Sequence, residues 1–299
     1  MGPFAIQTNR LSIVFRAAQF ALAAAFVMGC SDKPSDAGNE APGACTSQRF
    51  VTAGDTDCDT GRGGPMRRIP LASGGTMCID KTEVTIGQYQ AFLADSNKPE
   101  LPPNDPAAMR CAQETDRNPT CSKEPCQGDA CDMPQACVSQ CDAKLFCAWA
   151  GKQLCGPVTS SPLGIDRANL LDPAKNQWRN ACSPDGRGWP YGPEYDAQAC
   201  NTTDRKPQAC NGPALTASFE KCQAPAGPYD QVFDLSSNLF EWVDASQEGP
   251  GWPDLRCIIM GGSYVHYWGD TDCGEYSTLD WPCDAHHEEF GFRCCSKSN

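Results

Sequence analysis

Two stretches of the chain place apolar residues at helical spacing, Thr85–Leu93 and Cys141–Ala150. Their apolar faces consist of Ile86, Tyr89 and Leu93 in the first, and Leu145, Phe146 and Trp149 in the second. This spacing predicts two amphipathic helices. Thr85 stands where a helix N-cap residue is expected.

Short apolar runs predict strands at Arg68–Leu71, Met77–Ile79 and Leu255–Met260. Elsewhere, few stretches keep an apolar period for three helical turns, and 27 glycines and 25 prolines are spread along the 299 residues. Because Gly and Pro interrupt helices and strands, we predict an irregular, loop-rich α+β fold. A chain of this length is large enough to bury a real core.

Cysteine is unusually frequent, at 21 residues, which predicts an oxidising compartment and a disulfide-rich protein. Eight cysteines fall between Cys111 and Cys155, largely within a Cys-rich insertion at about 105–140. A zinc cluster is the alternative there. Structural zinc usually requires two tight ligand pairs, often with His, and the three histidines lie far downstream. We therefore expect disulfides, with their connectivity left open by the sequence.

The N-terminal segment has the features of an export signal. Two arginines, Arg10 and Arg16, precede the apolar run Ala17–Met28, which is too short to span a membrane. The run ends in Gly29-Cys30, which resembles the lipobox of bacterial lipoproteins. That resemblance implies a signal peptide at residues 1–29 and a lipid on the Cys30 sulfur. Ordinary secretion, with Cys30 in a disulfide, is the alternative.

Lipidation of Cys30 leaves 20 cysteines, an even number that permits complete pairing. The residues that follow are polar and rich in Pro and small side chains, which is typical of a flexible tether, predicted at 30–65. The lipid anchor makes the membrane the expected partner, and the cell envelope the expected location. Ser31 after the lipidated cysteine favours the outer membrane by the usual sorting rule.

Charge excludes one class of function. The net charge is −13, and it becomes −15 without residues 1–29, which contain two arginines and no acidic residue. Nucleic-acid binding needs a clustered Lys/Arg surface, and the sequence has none. We therefore expect no nucleic-acid partner.

Several separated segments together resemble, in the right order, the formylglycine-generating enzyme family, also called the sulfatase-modifying factor domain. They are MCIDKTEVTIGQYQAFL (77–93), CAWAGKQLC (147–155) with QWRNAC (177–182), WPYGPEYDAQACNT (189–202), DLSSNLFEWVD (234–244), MGGSY (260–264) and FGFRCC (290–295). The resemblance implies one domain at 66–296 with a C-type-lectin-like fold.

The same resemblance implies calcium as a cofactor. It places the side chains of Asp234 and Glu241, and the backbone carbonyls of Ser237 and Leu239, on one ion. Such hard oxygen ligands suit calcium. A second site is implied at Asn201 and Thr202, with Asp204 as a neighbouring candidate. The alternative is that Asp234 and Asn238 only cap a turn while Glu241 pairs with Arg293. Ser237 stands where the family usually has Gly, which predicts strain if this residue needs a positive φ.

The copper chemistry of the family's enzymes has no matching cysteines here. The two positions that hold copper in active members correspond to His266 and Thr271, and the neighbouring family serine corresponds to Ser263. Cys273 lies two residues beyond, and we expect it in a disulfide rather than on copper. Metal binding by His266, with His286 or His287, stays as an alternative, but copper or iron is not the expected cofactor.

Four aromatic residues near these positions are candidates to line a binding groove: Tyr264, Tyr267, Trp268 and Trp281. Core packing is the alternative role for them. The sequence thus favours a non-catalytic binding or accessory module for a protein, peptide or glycan ligand. A divergent metal-dependent oxidoreductase and a purely structural envelope protein are the alternatives.

Overall fold

The computed structural model describes residues 49–103, 105, 107–121, 125–159, 164–205, 212–247, 255–274 and 278–296. The predicted signal peptide, Cys30 and most of the tether lie outside the described residues. Within them are five α-helices: α1 (Ile86–Ala94), α2 (Ala108–Cys111), α3 (Gln140–Trp149), α4 (Arg167–Leu170) and α5 (Gln177–Cys182). The eight described strands are β1 (Met66–Pro70), β2 (Thr76–Asp80), β3 (Gln153–Leu154), β4 (Phe240–Ser246), β5 (Arg256–Met260), β6 (Thr278–Pro282), β7 (Phe290–Phe292) and β8 (Cys294–Cys295).

Both predicted helices are confirmed, as α1 and α3, and each begins with a capping box. The Thr85 side chain accepts a hydrogen bond from the Gln88 backbone, and the Gln88 side chain accepts one from the backbone of Thr85. Ser139 and Asp142 repeat this arrangement at α3. These reciprocal bonds satisfy backbone N–H groups that a helix start leaves unpaired.

The strands form two four-stranded sheets with the orders β1-β2-β8-β3 and β6-β5-β4-β7. The three predicted strands are confirmed as β1, β2 and β5. Only the β4–β7 pair is parallel among the described pairings, with Phe240 opposite Phe290 and Trp242 opposite Phe292. This register places the second half of the DLSSNLFEWVD segment (234–244) beside the FGFRCC segment (290–295).

Two clusters of buried side chains hold the sheets together. One surrounds Trp178 on α5 and contains Ile79, Val243 and Met260. The other is aromatic and joins α1 and α3 to the second sheet. Its ring contacts include Tyr89 with Phe146 at 5.8 Å and Phe146 with Phe292 at 5.4 Å between centroids.

Nine disulfides join described cysteines, as the composition predicted. They are Cys58–Cys78, Cys111–Cys141, Cys121–Cys137, Cys126–Cys131, Cys147–Cys294, Cys155–Cys295, Cys182–Cys273, Cys200–Cys222 and Cys257–Cys283. The Cys-rich insertion is therefore crosslinked internally and to α3. All eight cysteines of that block are in disulfides, so they form no zinc cluster.

Residues 49–65, which the sequence analysis placed in the tether, pack on the folded body. Arg49 donates to the Asp132 carboxylate at 2.6 Å, the Phe50 N–H donates to the Ala217 carbonyl, and Cys58 is bonded to Cys78. The polar, Pro-rich composition that predicted the tether is that of residues 31–44, which lie outside the described residues. Disulfide and ion-pair contacts hold residues 49–65 against the folded body.

Candidate functional site

The family-like turn before β4 is built from residues in the left-handed region of backbone space. Asp234, Ser237 and Asn238 have φ of 61°, 66° and 63°. Ser237 does need a positive φ, so its replacement of the usual Gly carries the conformational cost that the sequence predicted. The turn is held from outside by the Ser237 N–H, which donates to the Gly261 carbonyl at 2.7 Å.

Three buried carboxylates, from Glu83, Asp234 and Glu241, surround one buried guanidinium, that of Arg293. The Nη2 atom of Arg293 lies 2.5 Å from Glu241 Oε1, and its Nε lies 2.7 Å from Oε2. Trp178 Nε1 donates to Glu241 Oε2 at 2.8 Å. The Glu241–Arg293 pair that the sequence analysis held as an alternative is thus present.

Glu83 was missed from the sequence, although it stands in the Glu-Val-Thr segment that carried part of the resemblance. Asn238 Nδ2 donates to both oxygens of its carboxylate, at 3.0 and 3.2 Å. Burial, together with the charges of Asp234 and Glu241, raises the pKa of Glu83 well above its usual value. Glu83 joins the cluster through a long-range contact with Asn238, which the sequence alone does not reveal.

Burial also raises the pKa of Asp234, to about 6. Its Oδ2 accepts a hydrogen bond from the Ala217 N–H at 2.6 Å. If all three carboxylates are ionised, the single positive charge of Arg293 balances one of them, and the other two negative charges are left unbalanced. Uncompensated buried charge is costly, so the cluster favours either protonation or a bound cation.

The donor set fits calcium in part. Asp234 and Glu83 are buried oxygen donors in a region with excess negative charge, which is the chemistry that calcium selects. Glu241 fits less well, since Arg293 and Trp178 already engage both of its oxygens. Its carboxylate would have to release part of that contact to become a ligand.

The residues of the second predicted calcium site lie directly against the first turn. Asn201 Nδ2 donates to Asn238 Oδ1 at 3.0 Å and to the Gly212 carbonyl. The Thr202 hydroxyl lies 3.2 Å from the Tyr195 hydroxyl, which donates to Asp204. The structure therefore brings both predicted segments together, with an amide N–H2 group of Asn201 at their junction.

The positions that correspond to the family's serine and first copper cysteine form a hydrogen-bonded cluster. Ser263 Oγ lies 2.8 Å from His266 Nδ1 and donates to Glu289 Oε2 at 2.5 Å. The His266 ring packs edge-on against Phe240 at 4.9 Å. Glu289 was not predicted, because 26 residues separate it from Ser263.

Thr271 and Cys273 occupy a neighbouring loop without supplying a thiolate. Thr271 is fully buried, and its Oγ1 has no hydrogen-bond partner among the described residues. Cys273 is in a disulfide, as the sequence predicted, and its partner is Cys182. A sulfur in a disulfide lacks the thiolate charge that selects copper in its lower oxidation state.

Three of the four predicted groove residues are exposed at the surface. Trp268 is 59% exposed, Tyr267 is 52% exposed and Trp281 is 37% exposed. The Asp204 carboxylate holds the start of this loop by accepting from the Trp268 N–H at 3.0 Å. Tyr264 is half-buried, and burial near Glu288 and Glu289 raises its pKa to about 12. Trp281 also packs edge-on against the buried Phe290, with ring centroids 5.1 Å apart, so core packing accounts for part of its position, whereas Tyr267 and Trp268 are more than half exposed.

Among the described residues, no helix is both long and apolar enough to cross a membrane. The family model described as "Sulfatase-modifying factor enzyme 1-like domain" matches residues 35–298. No curated protein matches the chain.

Solved structures similar to the chain are low in sequence identity. Treponema denticola variable protein 1 is 13% identical, with a TM-score of 0.47, over 78% of this chain and 94% of its own. PvdO from Pseudomonas aeruginosa is 16% identical, with a TM-score of 0.47, over 83% and 98%. CarF is 16% identical, with a TM-score of 0.44, over 75% and 87%.

Proposed function

Because the chain belongs to the sulfatase-modifying factor enzyme 1-like family, with its C-type-lectin-like fold, we propose that it is a non-catalytic binding or accessory module. It works at the cell envelope as an exported lipoprotein, and calcium stabilises it. Its ligand is a protein, a peptide or a glycan, bound on the surface formed by Tyr267, Trp268 and Trp281.

The observation that carries this proposal is the presence of exposed aromatic side chains together with a site that lacks the two copper-binding cysteines of the family's enzymes. His266 and Thr271 replace the two cysteines, and the nearby Cys273 is in a disulfide. Contiguous exposed apolar side chains mark binding surfaces, and Tyr267 and Trp268 are neighbours in sequence that are both more than half exposed. Their flat faces suit stacking on sugar rings and on apolar peptide side chains.

Mutation of the aromatic surface tests the binding role. We expect Trp268→Ala with Trp281→Ala to weaken co-sedimentation with purified cell-wall sacculi, or capture by an envelope-peptide library, at least tenfold. Met109→Ala is the matched control, since Met109 is an exposed apolar residue, at 80%, on a different segment. Equal binding by all three proteins would overturn the proposal, provided that their melting temperatures agree.

Calcium binding rests on the excess negative charge around Asp234 and Glu83. We expect added calcium to raise the melting temperature of the EGTA-treated protein. Asp234→Asn should abolish most of that rise, whereas Asp280→Asn should leave it intact, because Asp280 pairs with Arg256 on the surface. A rise that persists in Asp234→Asn would place the ion elsewhere, and no rise at all would remove calcium from the proposal.

Lipid attachment is supported by the count of cysteines. The nine disulfides of the described residues use 18 of the 21 cysteines, and the other three are Cys30, Cys45 and Cys210. Three thiols cannot all pair within one chain. A thioether on Cys30 leaves Cys45 and Cys210 to form a tenth disulfide.

A divergent metal-dependent oxidoreductase is the second candidate. The contact that favours it joins Ser263, His266 and Glu289, because a carboxylate beside an imidazole raises its basicity as a ligand. Oxygen consumption by the copper- or iron-loaded protein, in the presence of a thiol peptide, tests this candidate. Activity that His266→Ala removes would favour it over the binding module.

A further inference from the structure

Glu114, Asp142 and His286 come together outside the family-like turn. Glu114 follows α2 in the Cys-rich insertion, Asp142 lies in the first turn of α3, and His286 lies between β6 and β7. One ligand atom from each lies within 4.8 Å of the other two. His286 Nε2 is 3.5 Å from Glu114 Oε1 and 3.4 Å from Asp142 Oδ2. Three segments distant in sequence thus direct metal-ligating atoms at one another.

The hydrogen bond at His286 Nδ1 determines the tautomer of the neutral ring, and therefore whether Nε2, which faces the carboxylates, carries a proton. His286 Nδ1 lies 2.8 Å from the Asp284 backbone carbonyl. A carbonyl only accepts hydrogen bonds, so Nδ1 carries a proton. In the neutral ring, Nε2 then presents a lone pair to two carboxylate oxygens, at 3.4 and 3.5 Å. Either a proton on Nε2 or a metal ion has to lie between these three atoms, and the two are distinguished by the test below. A backbone carbonyl on the distal nitrogen is also the usual support of a metal-bound histidine.

The carboxylates are oriented so that their inner oxygens stay available. Arg117 Nη1 contacts the outer oxygens, at 3.4 Å from Asp142 Oδ1 and 3.7 Å from Glu114 Oε2. The Ser139 N–H donates to Asp142 Oδ2 at 3.0 Å, which leaves that oxygen one further lone pair. Glu114 Oε1 is buried and makes no hydrogen bond among the described residues, and it lies 3.5 Å from His286 Nε2. A buried carboxylate oxygen without a hydrogen bond is uncommon, and coordination to a metal ion would satisfy it.

The separations suit a tetrahedral ion. Two ligands about 2.0–2.1 Å from zinc lie about 3.3–3.4 Å apart at the tetrahedral angle. His286 Nε2 lies 3.4 Å from Asp142 Oδ2 and 3.5 Å from Glu114 Oε1, and all three ligand atoms lie within 4.8 Å of one another. We propose that Glu114, Asp142 and His286 bind one zinc ion, with solvent in the open position. Calcium is disfavoured because one ligand is an imidazole nitrogen.

The site would tie the Cys-rich insertion to the segment between β6 and β7. Arg117 lies close by and opposes a second positive charge, so we expect moderate affinity rather than the very tight binding of a four-ligand site. The site uses no cysteine, and it is separate from the calcium proposal, from the binding surface and from Ser263, His266 and Glu289.

The test is isothermal titration of zinc into the metal-stripped, disulfide-intact protein, with cobalt absorption as a second readout. We expect one equivalent to bind with visible bands typical of tetrahedral cobalt. His286→Gln and Glu114→Gln should each weaken zinc binding at least tenfold. His287→Gln is the matched control, since this neighbouring histidine lies outside the cluster, and it should bind as the unmodified protein does.

Two outcomes would overturn the proposal. One is the absence of stoichiometric zinc binding, which would leave a protonated His286 paired with the two carboxylates. The other is loss of binding in His287→Gln with retention in His286→Gln, which would move the metal to another histidine. Melting temperatures and free-thiol titration on each variant separate loss of the site from loss of the fold, and Glu114→Gln supplies a second, milder removal of one ligand.

Discussion

Two features of Ser237 lower the stability of the folded state. Its φ of 66° lies in the left-handed region, and its buried Oγ has no hydrogen-bond partner among the described residues. Glycine removes both costs, so we expect Ser237→Gly to raise the free energy of unfolding by about 1 kcal/mol. Urea denaturation measures this change. Ser237→Ala removes the hydroxyl but keeps the Cβ, so it should recover only part of the gain, and equal gains would show that backbone strain is negligible.

Arg293 is the one described cation in contact with the buried Glu241 carboxylate, and it also faces the charges of Glu83 and Asp234. Arg293→Met leaves those carboxylates without a guanidinium, and we expect a loss of about 3–5 kcal/mol in the free energy of unfolding. Arg256→Met is the control, because the Arg256–Asp280 pair is exposed and should contribute at most about 1 kcal/mol. Similar urea midpoints for the two variants would contradict this account of the cluster.

At the scale of elements, local signals predicted α1 and α3 to within one residue at each end. Thr85 and Ser139 are the N-cap residues of the two helices, and their side chains accept hydrogen bonds from the first turn. The apolar residues inside each helix follow a regular spacing. Strand β4 was not predicted, although its residues carried the most specific family motif. Its first four residues are all buried, so the alternation that marks a half-exposed strand is absent.

The candidate site was predictable only where its residues are close in sequence. The turn motif identified Asp234, Ser237 and Glu241, and the loop motif identified Ser263 and His266. Glu83, Glu289 and Glu114 join their clusters through contacts across 26 to 172 residues, for example Asn238 with Glu83 and His286 with Glu114. Such pairings depend on sheet order and disulfide connectivity, which a single sequence leaves open.

The Cys182–Cys273 disulfide joins α5 to the loop that follows Ser263, with a sequence separation of 91. Replacing both cysteines with alanine should lower the free energy of unfolding by about 4–5 kcal/mol, because the loop that the disulfide closes is long. The same replacement of Cys126 and Cys131, which are only five residues apart, should lower it by about 2 kcal/mol. Urea denaturation gives the two losses. Hydrogen exchange should show that only the first variant loses protection in residues 261–274, and unchanged protection there would contradict the role of this disulfide.

At the scale of the whole molecule, the account predicts one remaining disulfide and one lipid. Mass spectrometry of non-reduced peptides from the mature protein should find Cys45 joined to Cys210, and a lipid-modified peptide that begins at Cys30. The physical reason is parity, because lipidation removes one thiol from an odd set. A disulfide that contains Cys30 would contradict lipid attachment and favour ordinary secretion.

The central claim is that this family member binds rather than oxidises. Elemental analysis of the mature protein, purified from an oxidising compartment, tests it most directly when free thiols are titrated on the same sample. The account predicts calcium, no stoichiometric copper or iron, and no free thiol. Stoichiometric copper or iron that disappears in His266→Ala would contradict it, and would make the protein an oxidoreductase with a rebuilt metal site.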